Sequence, residues 1–271
     1  MHIDVVGGGI AGLYAAYKLK RRGLDVCVYE KSRLLGGRIG TVRFAGRDVP
    51  TGAGIGRGKD VLLRALCDEL GVPVKEFTTQ FKYRLPRGME DVDIMRTVRV
   101  LRAHAGDRET FRQLGTRVLG ESTYRAFVVK TGYSDYEDAD ARDTLYNYGF
   151  EDTVPGYTAL SIKWADLIGR LGKALEGNVR LGSPKRDVGR AVTIVATDID
   201  AARKVTGRSL RGVEAQPFVR LYFLCDKDLD CGYTVCGGRF QKIIQIGAST
   251  TAGTVYMIYC DNATAGHRGG V

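Results

Sequence analysis

Apolar and polar positions along this chain switch repeatedly between a period of two and a period near 3.6. Residues 2–6 (His-Ile-Asp-Val-Val) form a short apolar run of the kind a buried strand leaves. Ala11, Ala15, Ala16 and Leu19 then recur at helical spacing, and Gly23 predicts the stop. Asp25 to Tyr29 returns to a strand pattern and ends at Glu30, and a second helix is predicted from Asp60 to Leu70. Further on, Ile94, Val98 and Leu101 mark one short amphipathic helix, and Phe111, Leu114 and Val118 another. The clearest helical stripe is Leu160, Trp164, Leu167, Ile168, Leu171 and Leu175, within a helix predicted over 155–177 and stopped at Gly177. Residues 178–181 and 192–197 read as strands. So do 218–224, 242–246 and 254–259, which are separated by glycine-rich turns.

The first strand and helix are joined by Gly7-Gly8-Gly9-Ile10-Ala11-Gly12, which fits G-x-G-x-x-G at Gly7, Gly9 and Gly12. Gly7 permits the tight turn out of the strand. Gly9 removes a side chain that would keep a pyrophosphate from the helix N-terminus, where free N–H groups and the helix dipole favour negative charge. Ile10 and Ala11 open that helix, and Gly12 lets it pack closely on the sheet. Glu30, at the end of the second strand, is placed to accept hydrogen bonds from a ribose diol, with Lys31 beside it. Strand, glycines, helix, strand and acidic residue in this order predict a dinucleotide-binding unit.

Directly downstream, Arg33-Leu34-Leu35-Gly36-Gly37-Arg38-Ile39-Gly40-Thr41 resembles the paired-glycine motif of the flavin-containing amine oxidase superfamily. That superfamily includes monoamine and polyamine oxidases, L-amino-acid oxidases, protoporphyrinogen oxidases and carotenoid desaturases. Gly46 to Gly54 is similar to the family's Gly-Ala segment along the flavin, and the Asp60–Leu70 helix continues the likeness. The resemblance implies FAD as cofactor. Gly36, Gly37 and Arg38 would lie near the pyrophosphate and ribityl chain, and Gly52, Ala53 and Gly54 near the isoalloxazine. A nicotinamide dehydrogenase does not need this second motif.

The resemblance implies an α/β fold in which a discontinuous Rossmann-like FAD-binding domain is interleaved with an α+β substrate domain. The expected segments are 1–75 (FAD-binding), 76–177 (mainly helical, substrate), 178–215 (FAD-binding, return) and 216–271 (β-rich, substrate). The adenine contact would fall near Lys185 to Val188. Lys204 lies eight residues beyond Ala196, near the offset of a family lysine that assists flavin reoxidation; an exposed turn would explain the same residue. The implied reaction takes a hydride from a carbon next to an amine, with hydrolysis of the imine and reoxidation by dioxygen to hydrogen peroxide. The expected partner is therefore a small molecule, amines foremost. A non-catalytic nucleotide-binding module is the alternative. The family's chains continue well past the point where this one ends at Val271, so FAD binding and FAD turnover are separate expectations.

Composition adds a few limits. The net charge of +10 favours an anionic cofactor, substrate or surface. The basic residues are spread thinly, and no nucleic-acid partner is expected. The acidic run Asp135, Glu137, Asp138, Asp140 and Asp143 reads as a solvated helix start. The six cysteines (Cys27, Cys67, Cys225, Cys231, Cys236 and Cys260) include no Cys-x-x-Cys pair, and there are three histidines. Reduced thiols and no metal site are expected. No apolar run reaches the roughly 20 residues of a membrane span. Glycines interrupt residues 3–16 and no basic leader precedes them, so a cytoplasmic location is expected.

Overall fold

A computed structural model describes residues 1–52, 54–185, 192–209, 219–248 and 253–260. The first half comprises β1 (His2–Val6), α1 (Ile10–Arg21), β2 (Asp25–Tyr29), β3 (Thr41–Phe44), β4 (Arg47–Pro50), β5 (Gly56–Arg57), α2 (Val61–Leu70), β6 (Val74–Thr78), β7 (Phe81–Arg84), α3 (Ile94–His104), α4 (Phe111–Leu119) and α5 (Glu121–Thr131). The second comprises α6 (Ala141–Asn147), β8 (Thr158–Ile162), α7 (Trp164–Ala174), β9 (Val179–Arg180), β10 (Val192–Val195), α8 (Ile199–Thr206), β11 (Val219–Cys225), β12 (Tyr233–Cys236), β13 (Phe240–Ala248) and β14 (Thr254–Cys260). The chain divides into two compact units. The first takes Met1–Arg43, Asp48–Glu76 and Leu160–Gln216, and the second Phe44–Arg47, Phe77–Ala159 and Pro217–Val271.

The first unit is built on a parallel sheet in the order β10–β1–β2–β9. Ile3 sits between Val192 and Val26, and Val5 between Ile194 and Val28. Ile3, Val5, Val26 and Val28 form one core with Leu13, Ala16 and Tyr17 of α1, Leu66 and Cys67 of α2, and Trp164, Leu167, Ile168 and Leu171 of α7. The apolar stripe of α7 therefore belongs to the nucleotide-type unit, and the boundary expected at residue 177 lies at Ala159. The helix expected over 155–177 is also shorter. Thr158–Ile162 is a strand, with Ala159, Leu160 and Ile162 buried, in a sheet ordered β5–β8–β6. Gly156, at φ +86°, precedes that strand, and its N–H donates to the Thr79 carbonyl at 2.9 Å.

The second unit has a helical and a β part. Helices α3 to α6 surround Phe111, Phe127 and Phe150, all fully buried. A capping box joins Thr110 and Gln113 at the start of α4. Gly115 of α4 lets Tyr124 of α5 approach, since a Cβ there would fall 2.0 Å from its ring. The sheet runs β11–β14–β13–β12–β7, antiparallel except for the parallel pair β7–β12. No helix among the described residues is long and apolar enough to cross a membrane.

Phe111 touches three aromatic rings, those of Tyr124, Phe127 and Phe150, at centroid distances of 5.7, 6.2 and 6.0 Å. Phe111→Ala is expected to lower unfolding stability by about 3–5 kcal/mol, as for other large aromatic truncations in a packed core. Denaturant titration measures the change. A loss under about 1 kcal/mol would show that this cluster does not hold the helices together.

Candidate functional site

Three glycines at the end of β1 do different physical work. Gly7 has φ +111°, and a Cβ on it would lie 2.4 Å from the Ala196 carbonyl oxygen. A Cβ on Gly12 would lie 2.0 Å from the Gly7 carbonyl oxygen, so α1 can begin against this turn only with glycine there. Gly9 is the opposite case. Its backbone is ordinary (φ −74°, ψ 174°), and a Cβ would meet nothing within 4 Å.

That open space lies at the start of α1, which has no side-chain cap and no acidic residue in its first turn. By contrast Asp93, Thr110, Asp140 and Asp198 cap α3, α4, α6 and α8. The first N–H groups of a helix have no intrahelical acceptor and carry the positive end of its dipole. Uncapped and facing open space, they suit an anionic oxygen.

Glu30 is buried at the end of β2. Its two oxygens accept the Gly8 and Ser32 N–H groups, each at 2.7 Å, which fixes the carboxylate beside the glycine turn. Gly8 and Ser32 were not singled out from sequence; the signal available was only their adjacency to Gly7 and Glu30. Lys31 is exposed and pairs with Asp198 at 3.4 Å. Asp198 is held below the usual carboxylate range by the Ala201 N–H that it caps and by Lys31, although partial burial opposes this.

The second glycine motif meets the first. The Gly36 N–H donates to the Gly8 carbonyl at 2.9 Å, and Gly9 and Gly36 form an isolated parallel bridge. A Cβ on Gly37 would stand 3.3 Å from the Gly9 Cα. Gly36 and Gly37 both have positive φ, 110° and 56°. Arg38 follows in a short 3-10 turn, exposed, and makes no hydrogen bond or ion pair to any described residue. Its carbonyl oxygen would lie 1.6 Å from a Cβ on Gly52, so Gly52 packs directly on that turn. The Gly54 carbonyl accepts the Trp164 indole N–H at 3.2 Å. Ala53 lies outside the described residues.

Ile10 and Ala11 form the first turn of α1. Lys204 lies in the last turn of α8, exposed, where a cation complements the helix dipole. The turn expected there is thus a helix, and no hydrogen bond joins Lys204 to the glycine cluster among the described residues. The acidic run is structural: Asp140 caps α6, and Arg112 pairs with Glu137 at 3.1 Å. Residues 186–188 of the expected adenine contact lie outside the described residues. Lys185 itself bonds Asp4 and lies over the Tyr29 ring at 4.7 Å.

Residues 5–70 match the NAD(P)-binding Rossmann-like domain family. Protoporphyrinogen oxidase 2 of Arabidopsis thaliana is 39% identical over 74 residues, which is 27% of this chain and 15% of that protein. A Mycobacterium tuberculosis protein named as a flavin-containing monoamine oxidase is 47% identical over 72 residues, 26% of this chain and 16% of its own length. The match thus spans about one sixth of the relatives' length. Among solved structures, putrescine oxidase with putrescine bound superposes with a TM-score of 0.77 at 15% identity, covering 98% of this chain and 77% of that one. Cyclohexylamine oxidase from Brevibacterium oxydans gives 0.73 at 14% identity, covering 99% and 78%. The chain therefore has the fold of these amine oxidases, and over about a quarter of its length it resembles flavin-containing monoamine and protoporphyrinogen oxidases in sequence.

Two substitutions separate packing from binding in the glycine turn. Gly12→Ala is expected to destabilise the chain by about 1–3 kcal/mol through overpacking. Gly9→Ala is expected to change stability by less than about 1 kcal/mol, because its backbone suits alanine and the Cβ has room. Thermal or urea unfolding of the pair checks this, and equal losses would contradict the geometry. A third variant probes Asp4. Burial pushes its carboxyl up, but Lys185 and His2 outweigh this and hold it below its usual value. Their stabilisation is present above the ordinary carboxylate pKa and is lost as pH falls through the lowered one. Lys185→Met should therefore cost about 1.5–3 kcal/mol at pH 7 and progressively less below about pH 4. Urea midpoints across that range measure it.

Proposed function

We propose that the first unit binds FAD and that the chain works as an FAD-dependent oxidoreductase of the amine oxidase type. The observation that carries this reading is the docking of Gly36 and Gly37 on Gly8 and Gly9, beside an uncapped helix start. A nicotinamide-binding Rossmann unit needs only the first loop. Here a second glycine pair lines the same opening and is followed by an arginine with no hydrogen bond or ion pair among the described residues. The sequence relatives, named as a flavin-containing monoamine oxidase and a protoporphyrinogen oxidase, point the same way.

In this reading the α1 N–H groups and the space at Gly9 receive the pyrophosphate. Arg38 neutralises its charge, and the fixed Glu30 carboxylate accepts the ribose hydroxyls through its remaining lone pairs. Gly52, packed on the Arg38 turn, and Gly54 border the ring. Bound FAD supplies the acceptance of a hydride from a carbon next to an amine, with dioxygen as the final oxidant. The protein's part is to hold and orient it.

Purified protein should be yellow or become so with FAD, and should keep stoichiometric flavin through gel filtration. Arg38→Gln is expected to weaken FAD binding by roughly tenfold or more, the worth of a charge-assisted hydrogen bond. Gly9→Ala should do the same while leaving the melting temperature unchanged. A colourless protein that refuses FAD, or a Gly9→Ala variant that binds normally, overturns the assignment. Peroxide release across an amine panel tests the reaction separately from the binding. Lys204→Met tests the reoxidation reading of that lysine: slower peroxide release at unchanged flavin content supports it.

A further inference from the structure

The second unit contains a cavity of about 180 Å³ whose wall includes Arg220, Lys242, Tyr259, Tyr133, Tyr136 and Asp135. The register of the sheet puts three of them in one row. Tyr259 of β14 pairs with Arg220 of β11 on one side and with Lys242 of β13 on the other. Residues directly opposite one another across adjacent strands point to the same face. Two cations thus flank one tyrosine, about 10 Å apart at the backbone from two strand spacings, and both side chains are long enough to converge. The Arg220 Cζ lies 4.5 Å from the Tyr259 ring centre, and the Lys242 Nζ lies 5.3 Å from the Tyr133 ring centre.

Neither cation forms an ion pair with a carboxylate among the described residues. The Arg220 Nη1 is buried and has no hydrogen-bond acceptor there. Burial pushes the Lys242 ammonium down to about 8, with Asp152 opposing only in part. Asp135, the carboxylate on the wall, is engaged by the Gln241 side-chain amide at 3.1 Å. An adjoining cavity of about 270 Å³ brings Arg125 and Arg239 to the same region. Buried donors in native proteins are normally satisfied, and two half-buried cations face this one cavity with no carboxylate paired to either among the described residues.

We propose that this cavity binds a small, flat carboxylate, with Arg220 and Lys242 gripping its oxygens and the tyrosines enclosing its body. Arg220 offers a planar fork that suits a carboxylate, and Lys242 a point charge beside it. Aromatic walls suit a ring of similar thickness. Asp135 on the same wall disfavours a dianion such as phosphate. The two cations exclude an ammonium ion, so this is not where an amine would be received. The proposal does not rest on the flavin reading.

The test titrates the full chain with benzoate, benzamide, benzylamine and inorganic phosphate, followed by amide NMR shifts or calorimetry. Benzoate is expected to bind in the millimolar range or tighter, and benzamide about tenfold more weakly or less, for want of the charge. Benzylamine and phosphate should not compete. Arg220→Gln and Lys242→Gln should each weaken benzoate by roughly tenfold or more, and Asp135→Asn should tighten it. Arg220 packs on Tyr259, so Lys242→Gln serves if Arg220→Gln fails to fold. No benzoate binding, equal binding of benzamide or phosphate, or benzoate affinity unchanged in Lys242→Gln overturns the proposal. Benzoate binding by a chain that refuses FAD would sink only the flavin assignment.

Discussion

The first unit depends on three places where backbone stands in the volume of a missing Cβ. The Ala196 carbonyl fills it at Gly7, the Gly7 carbonyl at Gly12, and the Arg38 carbonyl at Gly52. Each contact joins segments distant in sequence or different in kind: the first strand to the last, the turn to its helix, the second motif to the hairpin after it. Together they hold α1 against the sheet and set two glycine loops face to face. Adding one methyl group to any of them displaces backbone, which yields far less readily than the end of a flexible side chain. Gly9 lies among these residues and is free of that constraint. Its missing side chain leaves the only uncrowded position in the G-x-G-x-x-G triplet, which is why packing alone does not explain it.

The parts most legible in the sequence were those where spacing and stereochemistry demand one residue type. Gly7, Gly9, Gly12 and Glu30 could be assigned separate roles because strand, turn and helix geometry allow few substitutes there. The stripe of α7 was equally plain, but its neighbours were not. A 3.6-residue pattern says that a face is buried without saying against what, so it does not tell which unit the helix belongs to. Leu160 continued that pattern by coincidence while lying in β8. Short strands such as β7 and β12 escaped because four residues carry too little periodicity, and β12 finds its parallel partner about 150 residues away. Gly8 and Ser32 were invisible for another reason. Their contacts with Glu30 are made by backbone N–H groups, which every residue but proline possesses.

The second unit spends stability differently in its two parts. Around Phe111 the rings of Tyr124, Phe127 and Phe150 interlock in a fully buried aromatic cluster. Along the Arg220–Tyr259–Lys242 row, two half-buried cations line a cavity instead of apolar side chains. Natural chains lie only slightly above their stability threshold, and like charges gathered on a cavity wall in this way are commonly kept for a purpose other than folding. The contrast within one unit separates residues that hold the scaffold from residues that burden it.

The central strand β1 is paired on one side with β2, some twenty residues on, and on the other with β10, which begins at Val192. On the ribosome these two edges are closed at very different times. At roughly 5–20 residues per second, the β10 side waits on the order of ten seconds or more after β1 has emerged. Throughout that interval Ile3 to Val6 present an open, apolar strand edge while the whole of the helical segment is made. Nascent chains of this protein should therefore be clients of chaperones that shield unpaired strands, and slowing translation before codon 192 would lengthen their dependence on that shelter.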